Sequence, residues 1–145
     1  MAETQSPPPP TLEDFPHRTF DKLRYGDTDR QGHVNNAISA TMFETGRVEL
    51  LIAPDVPLLS PGYSFVIANI TIDYIDEILW PGSVEIGTRV TKIGRSSIGL
   101  DQGLFQEGRL VGAARSVIVM TDESTRRSHP LPDAGRTYLE SYSIR

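Results

Sequence analysis

The chain contains no cysteine. That removes disulfides, thiolate metal sites and a thiol nucleophile from consideration. Basic residues are in deficit: 14 Lys and Arg stand against 19 Asp and Glu, a formal net charge of -5. A broad electrostatic hold on nucleic acid or an anionic membrane surface is therefore not expected, and an anionic ligand would need a local basic patch. Long hydrophobic runs are missing as well. Nothing approaches the length of a membrane span, and the N-terminus lacks the charged-then-apolar order of a secretory signal, so a cytoplasmic location is the default reading. The histidines are only three, His17, His33 and His129, too scattered for a zinc set. No Gly-rich nucleotide loop, G-x-S-x-G elbow or Ser-His-Asp pattern is present.

What remains is an ordinary globular composition, 38% hydrophobic and 23% charged over 145 residues, which reads as a single domain. Residues 1–15, with the run Pro7-Pro8-Pro9-Pro10, read as a disordered or polyproline tail ahead of one domain over 16–145. The periodicity predicts a first strand over 19–25 and a helix over 34–52. Val34, Ile38, Thr41, Thr45, Val48 and Ile52 form the expected buried stripe of that helix. Gly46 keeps the helix slim, and Pro54 and Pro57 stop it. Alternation over 63–74 places Val66, Ala68, Ile70, Ile72 and Tyr74 on one face and Ile67, Asn69, Thr71 and Asp73 on the other. Three further strands follow, over 83–93, 98–106 and 110–121, separated by turns at Gly94-Arg95-Ser96 and Glu107-Gly108. One strand, one long helix and an antiparallel meander make an α+β fold. A single helix covers one sheet face only, so oligomerisation is expected.

The chemistry-bearing residues are concentrated in Asp27-Thr28-Asp29-Arg30-Gln31-Gly32-His33-Val34-Asn35-Asn36, just before the helix. Carboxylates, an imidazole and helix-start N–H groups lie together where developing negative charge can be stabilised. Asp27, Asp29 and Gly32 match positions 1, 3 and 6 of a calcium loop, but Ile38 stands where position 12 demands a glutamate, so calcium is rejected.

Together with Arg24-Tyr25-Gly26, Tyr74, Pro81-Gly82, Gly94-Arg95-Ser96-Ser97 and Thr125-Arg126-Arg127, the run resembles the hotdog-fold acyl thioesterases over residues 20–132. The nearest branch holds 4-hydroxybenzoyl-CoA thioesterase-like, acyl-CoA and plant acyl-carrier-protein enzymes. The resemblance implies a hotdog fold and hydrolysis of an acyl-CoA or acyl-carrier-protein thioester, with no metal or organic cofactor. It also implies a homodimer or homotetramer. Asp29 falls at the catalytic carboxylate, to attack the carbonyl or activate water. The alternative is a loop or capping role. Asn36 falls where a backbone N–H polarises the carbonyl, and His33 where the plant enzymes place a site histidine. Structural roles stand beside both. Gln31 departs from an asparagine at its position, Glu77 matches a glutamate, and Ile38 replaces a frequent aromatic. Asp27 is expected to order the loop or cap a turn. Glu44, expected to pair with Arg47 on the helix, is the reserve base, because another hotdog branch uses a helix carboxylate.

Among Arg89, Arg95, Arg126 and Arg127, the turn Arg95, Ser96 and Ser97 is the candidate for the substrate's phosphates. Two rival readings are kept: a hotdog hydratase or dehydratase, and a non-catalytic protein that binds or senses acyl thioesters. The first expects five residues from acid to histidine, where Asp29 and His33 are four apart.

Overall fold

A computed structural model describes residues 6–143; residues 1–5 of the expected tail, and 144–145, lie outside the described residues. The elements run β1 (His17–Lys22), α1 (Asn36–Leu51), β2 (Tyr63–Tyr74), β3 (Ser83–Ile93), β4 (Ser97–Gln106), β5 (Arg109–Asp122) and α2 (Asp133–Glu140). All five strands form one antiparallel sheet in the order β1-β3-β4-β5-β2, with α1 laid across one face. The α+β hotdog architecture expected from the sequence is present.

Three details differ from the sequence reading. First, β2 is not part of the meander. It pairs with β5 at the far edge, and residues 75–82 carry the chain back across the sheet end to β3. That crossing is pinned by Ile75 and Asp76 N–H groups donating to Val111 O. Second, β2 does not alternate cleanly. Ile67 pairs with Ile118 and Asn69 with Val117, so Ala68 is an extra residue in a bulge. The bulge puts Phe65 and Ile67 on the same face as Ile70, Ile72 and Tyr74, reversing the expected faces before residue 68. Third, the buried stripe of α1 is Ser39, Met42, Phe43, Gly46, Arg47, Leu50 and Leu51. Thr41, Val48 and Ile52 are exposed. The apolar residues on both sides of α1 misdirected the pattern, because the face toward the sheet carries a serine, a glycine and an arginine.

Gly46 explains the close approach of α1. A Cβ there would lie 2.7 Å from Gln102 Nε2 and 2.8 Å from Thr88 Oγ1, so only glycine lets the helix rest on these side chains. Gln102 Nε2 in turn donates to Phe43 O at 2.9 Å. This polar contact separates two apolar clusters. One gathers Met42, Phe43, Ile86 and Leu104 near the start of α1, and the other gathers Leu50, Leu51, Ile98 and Leu139 at its end.

α2 was not foreseen. It has only eight residues and includes a glycine, but Leu139 is fully buried against the end of α1. At the N-terminus, residues Leu12–Asp14 form a 3-10 turn and Phe15 is 2% exposed, packed on Gly87 and Gly103. The packed part of the chain therefore takes in Phe15. Among the described residues no helix is long and apolar enough to cross a membrane.

Candidate active site

The loop between β1 and α1 is built from its acids outward. Asp27 is 5% exposed. Its carboxylate accepts from Arg24 N–H at 2.9 Å and from the Arg24 guanidinium at 3.2 Å, and its carbonyl accepts from Asn35 N–H at 2.9 Å. It therefore fixes where the helix begins. Thr28 bridges Val34, and Asp29 N–H donates to His33 O at 2.8 Å, closing a tight loop whose reversal uses Gly32 at φ 79°.

Asp29 sits on the wall of that loop. Its Oδ1 accepts from the N–H groups of Gln31 at 2.8 Å and His33 at 3.2 Å. Oδ2 has no hydrogen-bond partner among the described residues. Backbone donors thus set the direction of the carboxylate while one oxygen stays available. At the start of α1, Asn35 is the cap, its side chain accepting from Ala37 N–H at 3.0 Å. Asn36 is the first helical residue, and its N–H has no acceptor among the described residues, as expected of a first-turn amide.

Asp29, Gln31, His33 and Asn36 line one cleft of about 460 Å³, whose other wall includes Ser39, Tyr74, Asp76 and Glu77. His33 Nε2 lies 3.4 Å from Glu77 Oε2. The Tyr74 hydroxyl reaches Asn36 O at 3.5 Å. Asp76 pairs with Arg109, and the Glu77 backbone N–H, then this guanidinium, hold its carboxyl below the usual range. Four of the residues singled out in the sequence near the loop are thus together, with Glu77 as a fifth.

One positioning residue escaped the sequence reading. Gln106 is buried, and its side-chain amide clamps Leu79 from both sides, Nε2 donating to Leu79 O at 2.7 Å and Oε1 accepting from Leu79 N–H at 3.0 Å. Leu79 is bridged to His33, and Val34 N–H donates to Ile78 O. The cleft's two walls are therefore tied together through Gln106. The available signal was a glutamine at the end of a strand whose inward positions are otherwise largely apolar.

The remaining candidates lie elsewhere. Arg95, Ser96 and Ser97 are at the β3–β4 turn, and β4 runs ten residues from Ser97 to Gln106, on the order of 30 Å. Within one protomer the structure does not bring this turn to Asp29. Arg95 Nη1 contacts Ser96 Oγ at 3.4 Å, and the carbonyls of Arg95 and Ser96 accept from Leu131 and Met120. Arg89 pairs with Asp101 and covers the Phe15 ring. Arg126 and Arg127 are exposed in the segment after β5. The Glu44–Arg47 ion pair does not form among the described residues. Arg47 turns inward to Gln102 Oε1 at 3.5 Å, and burial pushes its pKa down against the pull of Glu44. Glu44 lines a separate, smaller cleft between α1 and β2. No group of three or more His, Asp or Glu side chains that could hold a metal occurs among the described residues.

The profile of the Thioesterase-like superfamily matches residues 23–137. The chain belongs to that superfamily. Three solved structures share its fold across nearly the whole chain. A Pseudomonas aeruginosa protein superposes with a TM-score of 0.83 at 27% identity, covering 94% of this chain and 98% of that one. A predicted thioesterase from Bacillus stearothermophilus gives 0.79 at 30% identity, with 87% and 95% covered. A Thermus thermophilus thioesterase complexed with coenzyme A and Zn gives 0.77 at 30%, with 92% and 98% covered. No curated protein matches the chain. The cleft at the start of α1 combines a carboxylate oxygen and a helix-start amide that have no hydrogen-bond partner among the described residues.

Proposed function

We propose that this thioester hydrolase cleaves an acyl-CoA thioester to a carboxylic acid and free thiol, with Asp29 as the reacting carboxylate. The supporting observation is that Asp29 Oδ2 and the Asn36 N–H, both without a hydrogen-bond partner among the described residues, lie on the same cleft. The thioester carbonyl oxygen sits against Asn36 N–H, where the helix dipole adds to the hydrogen bond. Removal of such a donor in another hydrolase costs about 2.7–4 kcal/mol. Two routes fit Oδ2. As a general base it takes a proton from a water that adds to the carbonyl carbon. As a nucleophile it forms a mixed anhydride that water then opens. In both, the tetrahedral adduct collapses with loss of the thiolate, which leaves without needing a strong acid. His33, held beside Glu77, assists by orienting the acyl group or the water. Single turnover in ¹⁸O-labelled water tests the nucleophilic route, because label in the Asp29 side chain arises only when water opens the anhydride at the Asp29 carbon and never from general-base catalysis.

The working unit is a homodimer or homotetramer acting in the cytoplasm. The support for assembly is β2, an edge strand of twelve residues with exposed Val66, Ile67, Ile70 and Tyr74, next to exposed Val48 and Ile52 on α1. An apolar, open edge of this length invites a second copy. Sedimentation equilibrium reads the stoichiometry directly. An assembly is also what the Arg95-Ser96-Ser97 turn requires, since only a neighbouring protomer could bring it to the phosphates of a substrate held at Asp29.

The test is thiol release over a panel of acyl-CoA and acyl-carrier-protein thioesters. Turnover of any member supports hydrolysis. Tight acyl-CoA binding with no thiol released would instead support the sensing or carrier reading.

A further inference from the structure

The Asp29 cleft is polar at its mouth and apolar at its floor, with one exception. Asp29, Gln31, Asn36 and Glu77 at the mouth are exposed, whereas Val34, Ile78 and Val111 at the floor are buried members of one apolar cluster. Ser39 is the fourth buried residue of the lining, only 5% exposed. The hydroxyl of a helical serine or threonine commonly bonds back to a carbonyl one turn earlier. Thr41 and Thr45 do so on the same helix, reaching Ala37 O and Thr41 O. Ser39 Oγ has no hydrogen-bond partner among the described residues. Nor is it sealed in. The enclosed side-chain atoms without partners, among the described residues, are His17 Nδ1, Arg89 Nε and Ser116 Oγ. The Ser39 hydroxyl therefore opens onto the cleft. A hydroxyl on an apolar floor costs free energy unless something bonds to it, and alanine would fill the position with better helix propensity.

We infer that Ser39 selects acyl groups carrying a neutral hydroxyl or oxo oxygen on the third or fourth carbon, by hydrogen bonding to that oxygen. This rests on the thioesterase reading above and names the acyl class. The pantetheine arm must leave through the open mouth, so the acyl chain runs inward from the carbonyl at Asn36 to the floor. Ser39 follows Asn36 by three residues, and its Cα–Cβ bond tilts back toward the helix start. Three residues advance about 4.5 Å along the axis, roughly the reach of an extended chain from a carbonyl to its third or fourth carbon. The oxygen is neutral because no lysine or arginine lines the cleft, while Asp29, Asp76 and Glu77 do. A plain alkyl chain fills the same space but leaves the serine unpaired, which is how a polar site rejects an apolar analogue.

Thiol release is measured with the whole protein on butyryl-, 3-hydroxybutyryl-, 4-hydroxybutyryl- and succinyl-CoA, which share one chain length. For the better hydroxyacyl substrate kcat/KM exceeds that for butyryl-CoA about tenfold or more, the effect of one buried hydroxyl left unpaired. Ser39→Ala, shown to be folded by its melting curve, brings that ratio close to one, whereas a merely structural serine would shift both rates together. Ser39→Cys, a weak donor, takes its place if the alanine variant does not fold. A wild-type ratio near one for both hydroxyacyl substrates overturns the inference. So does a ratio that survives in the folded variant, a preference for succinyl-CoA, or turnover confined to longer unsubstituted acyl groups. All of these leave the hydrolase reading intact. If the wild type releases thiol from no acyl-CoA, the hydrolase reading fails. The serine is then judged by the same ratio taken from calorimetric dissociation constants of wild type and variant, and the absence of a preference overturns it.

Discussion

The two ends of α1 are made from one helix and treated in opposite ways. At its start, Asn35 caps Ala37 and the neighbouring Asn36 N–H stays open, facing a polar, solvent-reached cleft. At its end, Leu50 and Leu51 are buried with Leu139, and the Tyr138 hydroxyl donates to Leu50 O at 2.7 Å. Every helix leaves backbone groups without partners at both ends. Here those at the C-terminal end include one capped by a second helix, and those at the N-terminal end include one with no acceptor among the described residues. The difference separates stability from chemistry along 16 residues, and it can be tested by substitution at each end.

The largest pair of effects is a mirror image. Asp29→Asn keeps an oxygen to accept from Gln31 and His33, so the loop and melting temperature should hold, while kcat/KM for thiol release falls by about 10²–10⁴. Leu50→Ala should do the reverse. It costs about 2–5 kcal/mol of stability, read as a melting-temperature drop on the order of 10 °C, with the rate per folded molecule unchanged. Equal losses of both quantities in both variants would erase the distinction.

Asn35→Ala should fall between the two. Loss of the cap costs about 0.5–2 kcal/mol and loosens the first turn that presents the Asn36 amide, so kcat declines more than KM changes. A variant with lowered stability but full kcat would show that the amide needs no cap to point correctly.

The smallest effect lies at the far end. Tyr138→Phe removes the hydrogen bond to Leu50 O, worth about 1 kcal/mol, with no loss of turnover. It also has a pH signature. Burial, then the neighbouring Tyr142, push the Tyr138 hydroxyl up to about 12. The folded protein holds this proton more tightly than the unfolded chain does. Its contribution is therefore complete below pH 10 and is lost as pH rises through about 12. Denaturant melts at pH 8 and 11 should show the wild type losing more stability than Tyr138→Phe; equal losses would detach Tyr138 from the alkaline transition.

The proposed catalytic end was far more legible in the sequence than the packed end. Asp27, Asp29, Gly32 and Asn35 act through their own backbone neighbours, two to four residues away or one loop apart, so a short run of letters carries their geometry. The buried stripe of α1 was not readable in the same way. Gly46 and Arg47 face the sheet because Gln102 and Thr88 wait there, and those partners are more than forty residues distant. The bulge at Ala68 was hidden for a similar reason. An extra residue in β2 has meaning only against the β5 register, and alternation read along one strand cannot show it. α2 hides because Leu139 and the neighbouring Tyr138 are the only large apolar or aromatic residues among its eight, too few to show a helical period. Gln106 escaped because its partner Leu79 arrives by the crossing of residues 75–82, a path that strand patterns do not reveal.

The central claim is that the reacting carboxylate lies in the loop before α1 and not on the helix. Thiol release should be measured side by side for Asp29→Ala and Glu44→Gln, with a melting curve for each. The structure predicts a fall of at least about a hundredfold for Asp29→Ala and a near wild-type rate for Glu44→Gln, whose side chain lies on a different cleft. A folded Glu44→Gln protein without activity, beside an active Asp29→Ala, would contradict it.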